Sequence, residues 1–131
     1  MLFELPTDRS VPVSVVVIAK NEEKRLPECL DSVNWAREVV VIDDESLDRT
    51  VEIARAKGAK VFHRKMEIEG RQRNFGFGQA SEPWILSLDA DERVTPELAD
   101  EIGKWVKRHT ADPDLVGFAI PIRTYIGSRW V

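Results

Sequence analysis

Val13-Ser-Val-Val-Val-Ile-Ala19 and Glu38-Val-Val-Val-Ile-Asp43 are short, β-branched and lack clean polar alternation. A strand covered on both faces reads this way, as in a parallel sheet with helices above and below. Between them, Asn21-Glu-Glu-Lys-Arg-Leu-Pro-Glu-Cys-Leu-Asp-Ser-Val33 predicts a helix. Pro27 suits a first turn, where its missing N–H is no loss, and Leu26, Leu30 and Val33 share one face. Strand, helix and strand make one βαβ unit.

The unit repeats outward. Residues 46–58 predict a second helix, with Ser46 and Asp48 as candidate caps, Val51 and Ala54 as apolar positions and Gly58 at the left-handed closing position. Lys60–His63 predicts a third strand, residues 72–80 a helix weakened by Gly76 and Gly78, and residues 84–88 a fourth strand running into Asp89-Ala-Asp91. Thr95-Pro96 opens a last helix with Leu98, Ile102, Trp105 and Val106 along one stripe. Residues 116–126 read as extended, with Pro121 favouring an edge. No repeat or linker interrupts the series, so residues 1–131 read as a single α/β domain with an open, doubly wound, mostly parallel sheet.

Composition excludes several classes. Of the 131 residues 43% are hydrophobic and 32% charged, which is not a disordered or low-complexity chain. The longest apolar stretch, residues 11–19, is about half of a membrane span and is broken by Pro12 and Ser14. Met1-Leu-Phe-Glu-Leu-Pro6 lacks the basic-then-apolar order of a signal peptide. The single Cys29 cannot form an internal disulfide and suits a reducing compartment. A balance of 19 basic against 23 acidic residues, net −4, argues against a binder of nucleic-acid phosphates. The expectation is a soluble cytoplasmic domain without a nucleic-acid partner.

Ligands of open α/β sheets bind at the carboxyl ends of the strands. Here the first strand runs into Asn21-Glu22-Glu23, the second into Asp43-Asp44-Glu45-Ser46 and the fourth into Asp89-Ala-Asp91-Glu92. In a parallel sheet these acids crowd one edge, and like charges held close destabilise one another unless a cation intervenes. Carboxylate oxygens select a hard ion, Mg²⁺ or Mn²⁺, and no Cys/His set for zinc is present. Asp89 and Asp91, two apart beyond a strand, can project to one side of a turn and reach one ion. The bland alternative for them is a solvated loop with a capping Asp. For Asp43 and Asp44 it is an acidic flank to the following helix dipole, which accounts for Asp48 better than for the pair at the strand end.

Other residues read more plainly. Arg64, Lys65, Arg71 and Arg73 can screen a diphosphate or simply form a solvated face. His63 and His109 read as surface or strand-end residues. Trp35, Trp84 and Trp105 sit at positions suited to core packing, Trp130 lies in the terminal extended segment, and Cys29 reads as buried and inert. A phosphoacceptor signalling domain also uses acids at strand ends, but its pair follows the first strand, whereas the clearest pair here follows the fourth.

Val-Ile-Ala-Lys-Asn-Glu-Glu23, Val-Val-Val-Ile-Asp-Asp-Glu-Ser-Leu-Asp-Arg-Thr50, Arg-Asn-Phe-Gly76 and Trp-Ile-Leu-Ser-Leu-Asp-Ala-Asp-Glu-Arg-Val-Thr-Pro-Glu-Leu98 together resemble a family 2 glycosyltransferase. The likeness runs from about residue 13 to 130 and is greatest to bacterial enzymes that build the lipopolysaccharide core. It implies a GT-A fold, a nucleotide-sugar donor, a glycan or lipid-linked acceptor, and Mg²⁺ or Mn²⁺. By position, Asp43 and Asp44 match acids that bind the donor's base and ribose. Asp89 matches the first acid of an Asp-x-Asp motif, facing ribose or metal, and Asp91 the acid that holds the metal. Arg73 matches a basic position near the donor phosphates, and Ala19, Asn21 and Glu22 match the loop beside the nucleotide.

The sequence departs from the family at three points. Lys20 stands where many relatives carry an aromatic residue, and Glu45 where a Gly is usual. The family's later half, which supplies the catalytic base and much of the acceptor site, has no counterpart before Val131, so the resemblance implies the N-terminal donor-binding part of a longer enzyme. Glu92 lies beside the motif but reads equally well as a loop acid, and no base is assigned. A lipid-linked acceptor would place the enzyme at the inner face of a membrane, by peripheral contact. A non-catalytic module that holds a nucleotide sugar is the alternative. Nothing in the sequence indicates an oligomer.

Overall fold

The computed structural model describes residues 10–109; the extended reading of 116–126, with Pro121, and Trp130 lie outside them. The element order is β1 (Val11–Ala19), α1 (Leu26–Asp31), β2 (Ala36–Asp43), α2 (Thr50–Ala56), β3 (Lys60–His63), α3 (Glu69–Gln79), β4 (Trp84–Asp89) and α4 (Pro96–His109). The strands form a four-stranded sheet in the order β3-β2-β1-β4, and every pairing is parallel. Register aligns their carboxyl ends. Ala19 stands level with Asp43, Asp43 with His63, and Ile18 with Asp89, so all the strand ends emerge along one edge.

Helices cover both faces. On one, Val13, Val15 and Val17 of β1 pack with Leu26 and Leu30 of α1, Ala54 of α2, and Leu98, Ile102 and Val106 of α4. On the other, Val16, Val40 and Ile42 meet Phe62, Phe75 and Phe77. Successive residues of β1 therefore serve opposite cores, which is why its sequence shows no polar alternation. The chain steps outward from β1 to β3, crosses back through α3 and lays β4 on the other side of β1. The gap between the carboxyl ends of β1 and β4 is thus a topological switch point, where ligands of such sheets bind.

Four local readings change, the second helix among them: it runs from Thr50 to Ala56 with Arg49, not Ser46 or Asp48, at its N-cap. β1 starts at Val11, with irregular register between Val11 and Ser14 where Pro12 lies. α1 ends at Asp31, so Val33 is buried from the following turn. α3 starts at Glu69, ahead of the predicted Gln72, and Gly76 is no weakness. A Cβ there would stand 2.5 Å from Val16 Cγ1 and 3.2 Å from Ile42 Cγ1, so glycine is what lets α3 lie against β1 and β2. Gly58 takes φ 85° as expected, its N–H donating to Arg55 O at 3.0 Å.

At the amino end of the sheet Glu38 is 5% exposed. It accepts from Ser14 Oγ at 2.6 Å, Lys60 Nζ at 2.6 Å, Ser81 N at 2.8 Å and Ser81 Oγ at 2.9 Å. Burial pushes its carboxyl up, but the bonds from Lys60, Ser14 and Ser81 outweigh burial and hold its pKa at about 2. One side chain thereby ties β1, β2, β3 and the turn before β4.

Candidate functional site

A cleft of about 280 Å³ opens at the switch point, with Lys20, Glu22, Asp44, Asp89 and Asp91 in its lining. Two interlocked loops shape it. Asn21 and Glu45 hold left-handed backbone at φ 51° and 52°, which Asn tolerates and Glu does not readily adopt. Asn21 N donates to Ser46 Oγ at 2.9 Å, Glu22 N to Thr50 Oγ1 at 2.9 Å and Glu23 N to Asp48 Oδ2 at 3.2 Å. In return Leu47 N donates to Asn21 Oδ1 at 2.7 Å. Asp48 Oδ1 also takes Thr50 N at 2.9 Å and the Thr50 hydroxyl. Desolvation would raise the Asp48 carboxyl, but these bonds outweigh it and lower it. Ser46 is therefore a latch to the neighbouring loop and not a helix cap. Asp48 does more than flank a dipole.

Asp43 and Asp44 are both buried, at 2% and 5% exposure. Asp43 Oδ2 accepts from Ser46 N at 3.3 Å and lies 3.2 Å from His63 Nδ1. Its Oδ1 is buried with no hydrogen-bond partner among the described residues. Such an oxygen is costly unless a donor arrives, about 1–3 kcal/mol for a neutral group and more for a charged one. Asp44 Oδ1 accepts from Met66 N at 2.8 Å. The pairing of His63 with Asp43 arises from strand register and had no local sequence signal.

Across the cleft, Arg73 of α3 donates to Asp89 Oδ1 at 2.8 Å, Glu69 Oε1 at 2.8 Å and Ser87 Oγ at 2.5 Å. Burial works against its charge, but the bonds to Glu69 and Asp89 prevail and raise its pKa above the ordinary value. Asp91 Oδ2 lies 3.8 Å from Arg25 Nη1, and Glu92 Oε1 accepts Asp89 N at 2.8 Å, steadying the turn. Beneath it Cys29 is fully buried with Sγ 3.7 Å from Asp89 O. Burial first, then the charges of Glu92, Asp91, Asp89 and Glu22, push its thiol up to about 12, so it is inert as read. Of the other cluster cations Arg64 lies over the Phe75 ring at 4.7 Å, and Lys65 and Arg71 are exposed.

The structure thus brings Glu22, Asp44, Asp89 and Asp91 to one cleft, with Arg73 on Asp89. Ala19 is buried at the end of β1, level with Asp43, and the Asn21 side chain is spent on the loop latch. Among the described residues no three His, Cys, Asp or Glu side chains close into a metal cluster. The oxygens of Asp89 and Asp91, with Glu22 Oε2 of the same lining buried and unpartnered among the described residues, fit instead a small hard ion that completes its shell with phosphate and water. They do not fit an all-protein cage.

The model of glycosyl transferase family 2 matches residues 14–130. An uncharacterized glycosyltransferase of Rickettsia typhi is 40% identical over 101 residues, covering 76% of this chain and 35% of that protein. The lipopolysaccharide core biosynthesis glycosyltransferase LpsC of Rhizobium meliloti is 26% identical over 121 residues, covering 88% of this chain and 44% of that protein. Among solved structures, S. aureus TarS 1–349 superposes with a TM-score of 0.64 and 30% identity, covering 76% of this chain and 33% of that one. The same TarS fragment solved with UDP gives 0.59 and 28%, with the same shares. The chain spans about a third of the length of the first of these relatives, and the architecture shared with TarS is the GT-A fold.

Proposed function

The chain belongs to glycosyl transferase family 2, and from that premise we propose that it forms one nucleotide-sugar-binding domain, the donor half of a longer enzyme. That enzyme transfers a sugar to a glycan or lipid-linked acceptor of the cell envelope, at the cytoplasmic face of the membrane. The observation that carries the reading is the gathering of Glu22, Asp44, Asp89 and Asp91 around one cleft at the switch point. The likeness to LpsC supports an envelope acceptor, and the likeness to TarS, solved with UDP, supports a nucleotide donor. Among the described residues no helix is long and apolar enough to cross a membrane.

In this reading Asp43 and Asp44 receive the donor's base and ribose, the orphan Oδ1 of Asp43 taking an N–H or O–H. Ala19, Asn21 and Glu22 form the wall beside the nucleotide, and Asp89 faces the ribose side of the diphosphate. Arg73 orients Asp89 and adds positive charge toward the phosphates. Asp91, with Asp89, would hold Mg²⁺ or Mn²⁺, which when bound offsets charge on the departing diphosphate. The implied chemistry is displacement at the anomeric carbon, with the acceptor's proton taken by a carboxylate outside these residues. A second reading, a module that holds a nucleotide sugar without transferring it, draws support from Glu92, whose carboxylate is engaged by the Asp89 amide.

The test is thermal unfolding with UDP and Mn²⁺. Together they should raise the melting temperature more than the sum of each alone, a full site at 100 times Kd adding about 2.7 kcal/mol. Asp91→Ala should abolish the metal-dependent part; an unchanged shift would move the metal elsewhere. Sugar release from UDP-sugars by this chain should be negligible, and robust turnover would reveal a base within it.

A further inference from the structure

Among the described residues two arginines reach the acids of the cleft, and they are held very differently. Arg73 is 28% exposed and has three acceptors within 2.8 Å. Arg25, at the start of α1, is 61% exposed, yet its guanidinium reaches two acids of the cleft lining. Its Nη2 donates to Glu22 Oε1 at 2.8 Å, and its Nη1 stands at the loose distance of 3.8 Å from Asp91 Oδ2. Glu22 follows β1 and Asp91 follows β4, so this one side chain spans the switch point. The other oxygen of Glu22 is buried without a hydrogen-bond partner among the described residues, so the bridge leaves that carboxylate half-satisfied.

Exposed ion pairs are weak, because solvent screens them and two long side chains must be held still. Unbridged, facing carboxylates would repel. A cation needed there, but held loosely, is one that a stronger cation can replace. We propose that Arg25 is an exchangeable internal counter-ion: it bridges Glu22 and Asp91 in the resting protein and gives up Asp91 when a divalent ion enters. The inference rests on the reading of Asp91 as a metal ligand. Arg73, fixed from three sides, stays. The divalent ion alone must therefore compete with a tethered guanidinium for its own ligand.

The experiment titrates Mn²⁺ alone into the 131-residue chain and follows free Mn²⁺ by electron paramagnetic resonance. Arg25→Gln should tighten Mn²⁺ binding roughly fivefold, the scale of one exposed ion pair. Arg93→Gln removes the same charge from the loop beyond Asp91, where Arg93 pairs with exposed Glu28 at 2.7 Å, and should change binding less than about twofold. Adding Asp91→Asn to Arg25→Gln should erase the gain. Equal affinity in wild type and Arg25→Gln, an equal gain in Arg93→Gln, or a gain that survives Asp91→Asn would each overturn the proposal. Unfolding with UDP separates the two readings. Stabilisation by UDP with no gain in Arg25→Gln defeats the counter-ion and spares the nucleotide site; a gain without stabilisation by UDP does the reverse.

Discussion

The two ends of the sheet each bury carboxylates, and they treat them in opposite ways. At the amino end Glu38 has four donors and no spare need. At the carboxyl end Asp43 Oδ1 and Glu22 Oε2 are buried without hydrogen-bond partners among the described residues. A saturated buried acid joins segments and stabilises the fold; an unsaturated one carries its desolvation cost until a donor reaches it. The largest contrast should come from substituting the two. Glu38→Ala strands Ser14, Lys60 and the Ser81 amide, and should lower unfolding stability by about 3 kcal/mol in urea. Asp43→Asn should stay within about 1 kcal/mol of wild type while losing stabilisation by UDP. Equal losses at the two sites would erase the distinction.

Acid provides a finer probe. Glu38 has its pKa held at about 2, below the ordinary 4.5, so its contribution is complete above about pH 4.5 and lost as pH falls toward 2. Stability measured between pH 5 and 2.5 should fall more steeply in wild type than in Glu38→Gln, the difference amounting to about 2–3 kcal/mol. A parallel decline would mean that Glu38 is not held low. The smallest effect belongs to the carboxyl end, where Glu45 occupies left-handed backbone at φ 52°. Glu45→Gly should raise stability by about 1 kcal/mol, read as a shift of the urea midpoint. No gain would show that this turn carries no strain.

The sequence exposes one of these two ends far better than the other. Strand cores were legible because β-branched runs imply two-sided burial, and Lys60–His63 has the predicted bounds. The acids at the strand ends were legible because parallel strands deliver their ends to one edge. Glu38 was not, since a single acid opening a strand resembles an exposed one until Lys60 and Ser81 arrive from other segments. The latch of Asn21 with Ser46, and the reach of Arg25 to Asp91, depend equally on loop geometry that no spacing encodes. Glu45 was legible in part: the resemblance marks a glycine position, and the backbone there has the sign that glycine favours. Gly76 read as a flaw because helix propensity counts what a residue does to its own helix and ignores what stands opposite.

That glycine has a reach beyond its own contact. α3 rests on Val16 and Ile42 through a side chain no larger than a hydrogen, and the same helix carries Arg73 one turn earlier. The thickness of the packing layer therefore sets how far the guanidinium projects toward Asp89. A methyl group added inside the hydrophobic layer would lift a positive charge at the rim, so the spacing of the interior calibrates the electrostatics of the opening.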